Sequence, residues 1–283
     1  AESELGSPPC TYAWVALGSQ GRHEQSARSD QDNALVLDDS ATDADDGYFE
    51  ALARIVNDGL DACGYVYCPG DVMASNPKWR KPLSVWKKYF NNWITVPEEK
   101  ALMHANIFFD LRCVYGDTGL VDTLKESIRT DAKRNELFLA LMAKNAMNFQ
   151  PPLGFFRQFV LEKSGEHKNT LDIKKHGIMP IVEIARIRAL AAGEVRITTR
   201  NRLRAAATAG EITKPDAASL IDALDFIEKL RIEHQNRQLH AGKRPDNHLS
   251  PDELSALVRH NLKSAFNQVS VSQSALLNRF HLA

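Results

Sequence analysis

The sequence predicts an α+β fold, with a mixed β-sheet domain over residues 1–120 and an all-α helical bundle over residues 121–283. Three observations carry that prediction. Short apolar runs alternate with helical patterns up to about residue 120. Beyond it, nearly every segment repeats its apolar residues at helical spacing. Gly193, Gly210 and Gly242 then stand where helix C-caps belong.

In chain order, "YAWVAL" (12–17) and "NALVLDD" (33–39) read as strands, and "YFEALARIVNDGLDACG" (48–64) as an amphipathic helix closed by Gly64. "GYVYCPG" (64–70) is a strand or strand end, and "NIFFDLRCVYGD" (106–117) a β-rich run ended by Gly116-Asp117. Between them "NPKWRKPLSVWKKYFNNWI" predicts a loop followed by a helix. In the second half, "LVDTLKESIRTDAKRNELFLALMAKNAMNF" is one long helix or two shorter ones, stopped by Pro151-Pro152. "SPDE" (250–253) has the pattern of a helix start, with Ser250 as cap, Pro251 at the first position and Glu253 three residues on.

Bulk properties exclude several classes. A formal net charge of -1 lacks the basic excess that proteins working on long nucleic acid use to neutralise phosphates. Cys10, Cys63, Cys68 and Cys113 form no CxxC pair and no zinc spacing, so a reducing cytoplasm is the expected setting. No apolar run approaches the ~20 residues of a membrane span. The opening "AESELGSPPC" has no signal-peptide pattern and no initial Met, the expectation being a fragment of a longer protein or a processed start. Walker A and GxGxxG patterns are absent. "DDSATDADDG" does not make a calcium loop: with Gly47 as its glycine, positions one and twelve would be Thr42 and Ala53. It reads as an acidic loop leading into a helix.

The chemistry gathers in "GSQGRHEQSARSDQDNALVL" (18–37). A Gly18-Ser19 turn after a strand and before a short helix presents backbone N–H groups and a hydroxyl, the makings of a phosphate cradle. Asp30 and Asp32 are spaced i, i+2, so on a strand both carboxylates share one face about 6–7 Å apart at the backbone. The same letters also suit a solvated turn. Two convergent acids beside a phosphate turn meet the needs of a two-metal phosphoryl-type transfer site, where they hold Mg2+. A third acid is then required to ligate metal and activate the attacking hydroxyl, and Asp110, inside an apolar run, is its candidate. The alternative for Asp110 is a structural ion pair with Arg112.

These residues carry a resemblance. "GSQGRHEQSARSDQD" resembles the glycine-serine plus aspartate-x-aspartate signature of the DNA polymerase β-like nucleotidyltransferase superfamily, in its protein-PII uridylyltransferase and glutamine-synthetase adenylyltransferase branch. "FFDLRCVYGD" stands in the place of that branch's third acid. "CPGDVMASNPKWR", "LDIKKHGIMPIVEIARIRAL", "TTRNRL", "LRIEHQ" and "PDNHLSPDELS" are similar to a family whose nucleotidyltransferase domain precedes a helical substrate-binding domain. In that family both often lie downstream of CBS and cyclic-nucleotide-binding domains. The resemblance runs from about residue 10 to the end. It implies that Gly18 and Ser19 bind the triphosphate, that Asp30 and Asp32 hold Mg2+, and that Asp110 completes the acid trio. Arg22 and Glu24 belong to the motif, contacting nucleotide or bracing the turn.

The expected activity is transfer of a nucleoside monophosphate from an NTP to an acceptor hydroxyl with release of pyrophosphate. By resemblance the acceptor is a PII-like regulatory protein modified on tyrosine. The alternatives are transfer to a small molecule, and a nucleotide-sensing signalling module without turnover. No HD hydrolase or ACT segment is present, so the reverse reaction is not expected. Around the site, Trp79, Arg80, Lys81, Lys87 and Lys88 suit either a basic clasp for the nucleotide, with Arg80 its foremost member, or a solvated face over packed tryptophans. Asp172, Lys174, Arg202, Arg231, His234 and Gln235 are polar residues of the helical half; the last three share one helix face, suiting a ligand cleft or interdomain pairs and caps.

Overall fold

The computed structural model describes residues 1–27, 29–154 and 158–282. The chain forms two compact units, Ala1–Asn135 and Glu136–Ala283. The fold is α+β, with strands concentrated in the first unit and long helices in the second. Among the described residues no helix is long and apolar enough to cross a membrane.

In the first unit the elements run α1 (Glu2–Leu5), β1 (Tyr12–Ala16), α2 (Gly18–Gly21), β2 (Asp30–Gln31), β3 (Asn33–Leu37), α3 (Asp46–Ala62), β4 (Val66–Tyr67), β5 (Arg80–Pro82), α4 (Leu83–Thr95), α5 (Glu99–Phe108), β6 (Arg112–Gly116) and α6 (Thr118–Lys133). Four strands form a mixed sheet in the order β5-β3-β1-β6, with β1 antiparallel to both neighbours and β3 parallel to β5. Every residue of β1 and β3 is buried, which explains why both read as unbroken apolar runs. Tyr12, Trp14, Leu35 and Leu37 face α3, which supplies Phe49, Leu52 and Ala53 at helical spacing. The alternate residues face the opposite way, where α4 and α6 pack on the sheet. Trp86 of α4 donates its indole N–H to the Leu35 carbonyl at 2.9 Å, satisfying the one polar atom of that ring.

The acidic loop does become a helix start. Oδ2 of Asp45 accepts from the Thr42 amide at 2.8 Å and from its hydroxyl at 2.9 Å, closing the turn before α3.

The segment 106–117 departs from its expected β structure. α5 continues through Phe108, because Ala101, Leu102, Ala105 and Phe108 make a buried stripe at helical spacing. The strand begins only at Arg112, so Asp110 stands in the turn between helix and strand and not on a strand face.

The second unit comprises α7 (Glu136–Ala146), β7 (Leu171–Asp172), one π turn (Lys174–Ile178), α8 (Met179–Ala192), α9 (Thr199–Thr208), α10 (Lys214–His240), β8 (His248–Leu249) and α11 (Ala256–Arg279). The 121–149 stretch is therefore two helices: α6 falls in the first unit and α7 opens the second. α8 is buried on every side from Pro180 to Leu190, including a Glu183–Arg186 ion pair at 2.6 Å, and Gly193 ends it in the left-handed conformation at φ 75. "SPDE" forms a single 3-10 turn, Pro251–Glu253, instead of the expected helix start. Leu254 is extended (φ -93, ψ 142) and breaks the run, and Ser255 caps α11 by accepting from the Val258 amide.

Arg231, His234 and Gln235, singled out in the sequence, hold the 246–247 segment of this unit. Arg231 Nε donates to Asn247 Oδ1 at 2.7 Å, Gln235 Nε2 to the Asp246 carbonyl at 3.3 Å, and His234 Nε2 meets Asp246 Oδ1 at 3.2 Å. Asp172, just before the π turn, accepts from the Lys175 amide at 2.9 Å.

Candidate active site

β1 ends at Ala16, and the Leu17 amide donates to the Asp32 carbonyl at 2.9 Å, stitching the Gly-Ser turn to the acid segment. Gly18 has φ +52, a conformation glycine adopts freely and L residues adopt at a cost. A Cβ there would stand 3.1 Å from Asp32 Oδ2, so the carboxylate lies directly against the glycine. The short helix α2 leaves its first-turn N–H groups without carbonyls four residues back. A Cβ on Gly21 would meet the Asp110 carbonyl oxygen at 1.9 Å, which makes glycine obligatory where two backbones touch. Arg112 donates to the carbonyls of Gly21 at 3.1 Å and Gln20 at 3.0 Å, capping the C-terminal end of α2.

The acid segment owes its aim to the residues between and after the acids. Gln31, Asn33 and Asn57 are fully buried and interlock: Asn57 Nδ2 donates to Gln31 Oε1 at 2.7 Å and to Asn33 Oδ1 at 3.0 Å. Gln31 Nε2 donates to the carbonyls of Asn57 and Tyr65, each at 3.0 Å, and Asn33 Oδ1 accepts from the Ala74 amide at 2.8 Å. Alternation then turns Asp30 and Asp32 to the other side, half-buried. β2 pairs in parallel with β4, Asp30 opposite Val66 and Gln31 opposite Tyr67. One step further along that register is Cys68 beside Asp32. Asp30, Asp32 and Cys68 each offer one ligand atom, all within 4.8 Å of one another. Burial first, and the Asp32 carboxylate second, push the Cys68 thiol up to about 12.

The other expected site residues are placed differently. Asp110 is fully buried, and its Oδ2 receives the Arg22 guanidinium, whose Nε also pairs with Glu24 Oε2 at 2.6 Å. Its ion-pair partner is thus Arg22. Arg80 is buried, with Nε and Nη2 on the Asp46 carboxylate at 2.9 and 3.1 Å and Nη1 on the carbonyls of Ala74 and Ser75. The structure brings it to the start of α3 and to the 74–75 loop, not to the acid pair. Trp79 and Trp86 pack against Phe108 with ring centroids 4.4 and 5.5 Å away, so the tryptophans serve the domain interior. Gly18 and Ser19 remain at the turn beside Asp32.

Sequence reasoning missed Cys68 and the Gln31–Asn33–Asn57 amides. The amides left a trace, since polar residues on both faces of a strand otherwise buried require internal partners. Cys68 left none: its place depends on a parallel pairing across 36 residues.

Residues 1–100 match the family described as "Putative nucleotidyltransferase DUF294", and residues 136–280 match the family described as "Putative nucleotidyltransferase substrate binding domain". The chain is also 26% identical over 269 residues to the bifunctional glutamine synthetase adenylyltransferase/adenylyl-removing enzyme of Streptomyces coelicolor. That alignment covers 88% of this chain and 25% of the relative, so the chain spans about a quarter of the relative's length.

Proposed function

From a chain that belongs to the DUF294 nucleotidyltransferase family and carries its substrate-binding domain, we propose an enzyme that moves a nucleoside monophosphate from an NTP to an acceptor hydroxyl. The observation that supports this reading is the closeness of Asp32 to the Gly-Ser turn, its Oδ2 lying 3.1 Å from where a Cβ on Gly18 would stand. The donor set fits a divalent cation, with two half-buried carboxylates converging and no Cβ on Gly18 to fill the space beside them. Mg2+ held by Asp30 and Asp32 would supply positive charge to the phosphates and to the departing pyrophosphate.

The chain's own residues do the rest. The Gly18-Ser19 turn orients the triphosphate through its N–H groups and the Ser19 hydroxyl. The acceptor oxygen attacks the α-phosphorus as the bond to the bridging oxygen breaks. Pyrophosphate leaves with that electron pair, and the carboxylate pair receives the hydroxyl proton. Asp110 acts through Arg22, holding α2 against the turn that follows α5.

A protein acceptor is the favoured substrate class. The sequence resemblance to PII uridylyltransferases supports it, and so does the likeness to an enzyme named for adenylylation of glutamine synthetase. The four free cysteines support a reducing cytoplasm as the setting. The test is pyrophosphate release from each of the four NTPs with Mg2+, in lysate supplying acceptors, for wild type and Asp32→Ala. Release with one NTP that is lost in the variant is expected. Release unchanged in Asp32→Ala overturns the mechanism.

A further inference from the structure

The acids at which the transfer reading puts Mg2+ share their position with a sulfur. Mg2+ takes oxygen ligands in near-ideal octahedral geometry and has little use for a thiol, whereas Zn2+ binds mixed carboxylate and thiolate sets in tetrahedral sites. Ligands about 2.0–2.3 Å from a tetrahedral Zn2+ lie roughly 3.3–3.8 Å from one another. The three ligand atoms here already lie within 4.8 Å, so modest side-chain rotation closes the set. The backbone behind each ligand is fixed: Asp30 and Asp32 flank the buried amide of Gln31, and the β2–β4 pairing leads into Cys68. The missing Cβ of Gly18, 3.1 Å from Asp32 Oδ2, leaves room beside the acids.

We propose that Asp30, Asp32 and Cys68 form a three-ligand site for a thiophilic divalent cation such as Zn2+, which competes there with Mg2+ and so regulates the transfer centre. The inference rests on the proposed function for the location of Mg2+, and on the position of Cys68 for the selectivity. On binding, the metal–sulfur bond replaces the S–H bond and the proton goes to solvent, with no change of oxidation state. The fourth position stays open to water or a phosphate oxygen, as in zinc sites with three protein ligands.

The test uses the full chain without nucleotide, titrated with Co2+ as a spectroscopic stand-in for Zn2+. The expected result is a sulfur-to-cobalt charge-transfer band that saturates at one equivalent, is bleached by Zn2+, and resists a hundredfold excess of Mg2+. The band disappears in Cys68→Ser, and Zn2+ affinity falls there by about 10- to 100-fold. A second measurement needs no variant: one equivalent of Zn2+ added to the wild type in weak buffer releases the Cys68 proton, whereas Mg2+ at the two carboxylates releases none. Co2+ binding without a sulfur band, or a band that survives Cys68→Ser in a folded chain, overturns the proposal and leaves the transfer reading standing. Wild type that binds no Co2+ overturns the proposal as well, and the transfer reading is then decided by the pyrophosphate assay alone.

Discussion

Asp32 Oδ2 lies 3.1 Å from the point where a Cβ on Gly18 would stand, and Gly18 holds φ +52. One glycine therefore meets two demands, a left-handed backbone and an unobstructed carboxylate. Gly18→Ala is expected to cost about 1–2 kcal/mol of stability from the backbone alone. It should also displace Asp32 and weaken cation-dependent NTP binding by at least about tenfold, equivalent to 1.4 kcal/mol. Equilibrium binding of each NTP with Mg2+ checks this. An affinity within twofold of wild type would mean that the turn and the acid pair do not act together.

Asp30→Asn and Asp32→Asn keep shape and remove charge. Because both carboxylates are half-buried and turned away from the amide network, melting temperatures should stay within a few degrees of wild type. Losing several kcal/mol of transition-state charge stabilisation should cut transfer by roughly 10³-fold. Initial rates and thermal melts on the same preparations decide the matter. A variant that melts normally and still turns over at a tenth of the wild-type rate is incompatible with the mechanism.

Asp110 poses the opposite case. It is fully buried with Arg22, whose guanidinium also meets Glu24, so removing Asp110 takes one acceptor from a guanidinium that Glu24 still neutralises, whereas removing Arg22 strands two buried carboxylates. Asp110→Ala is expected to destabilise the first unit by about 1–3 kcal/mol, and Arg22→Met, which strands both carboxylates, by about 3–5 kcal/mol. Urea unfolding of the two variants measures both losses directly. If Asp110→Ala unfolds like wild type and loses only transfer, Asp110 is a reacting group and not a brace.

The contrast between these acids explains what could be seen in the sequence. Tyr12–Ala16 and Asn33–Leu37 were legible because a strand covered on both faces is an unbroken apolar run, and Gly18, Asp30 and Asp32 are brought together by that strand–turn–strand. Ile107 and Phe108 were not: a short apolar run has no period to tell a helix end from a strand, and α5 claimed it. Ion-pair partners were illegible for a different reason. Arg22 finds Asp110 across 88 residues, and Arg80 finds Asp46 across 34, so nearness in sequence pointed Asp110 to Arg112 instead. At Ser250 a complete local cap pattern was outvoted by the extended Leu254, which moved the helix start to Ser255.

The Arg80–Asp46 pair gives a prediction in pH. The hydrogen bonds from Arg80 hold the Asp46 carboxyl below the usual carboxylate range, so Asp46 binds its proton more weakly folded than unfolded. The stability it contributes is present above the unfolded value of about 3.9 and is lost as pH falls through the lower folded value. Asp46 is half-exposed while Arg80 is buried, so solvent screens the pair and the gap between wild type and Asp46→Asn should be about 1 kcal/mol at pH 7. That gap should persist at pH 5 and close below about pH 3.9, as unfolding curves at a series of pH values would record. A gap unchanged across the series would mean that ionised Asp46 contributes nothing. The same variant addresses the nucleotide. If Arg80 were poised for phosphate and merely detained by Asp46, Asp46→Asn would release it and strengthen NTP binding. With Nη1 also tied to the Ala74 and Ser75 carbonyls, Arg80 stays in place, and NTP affinity should remain within twofold of wild type while stability falls.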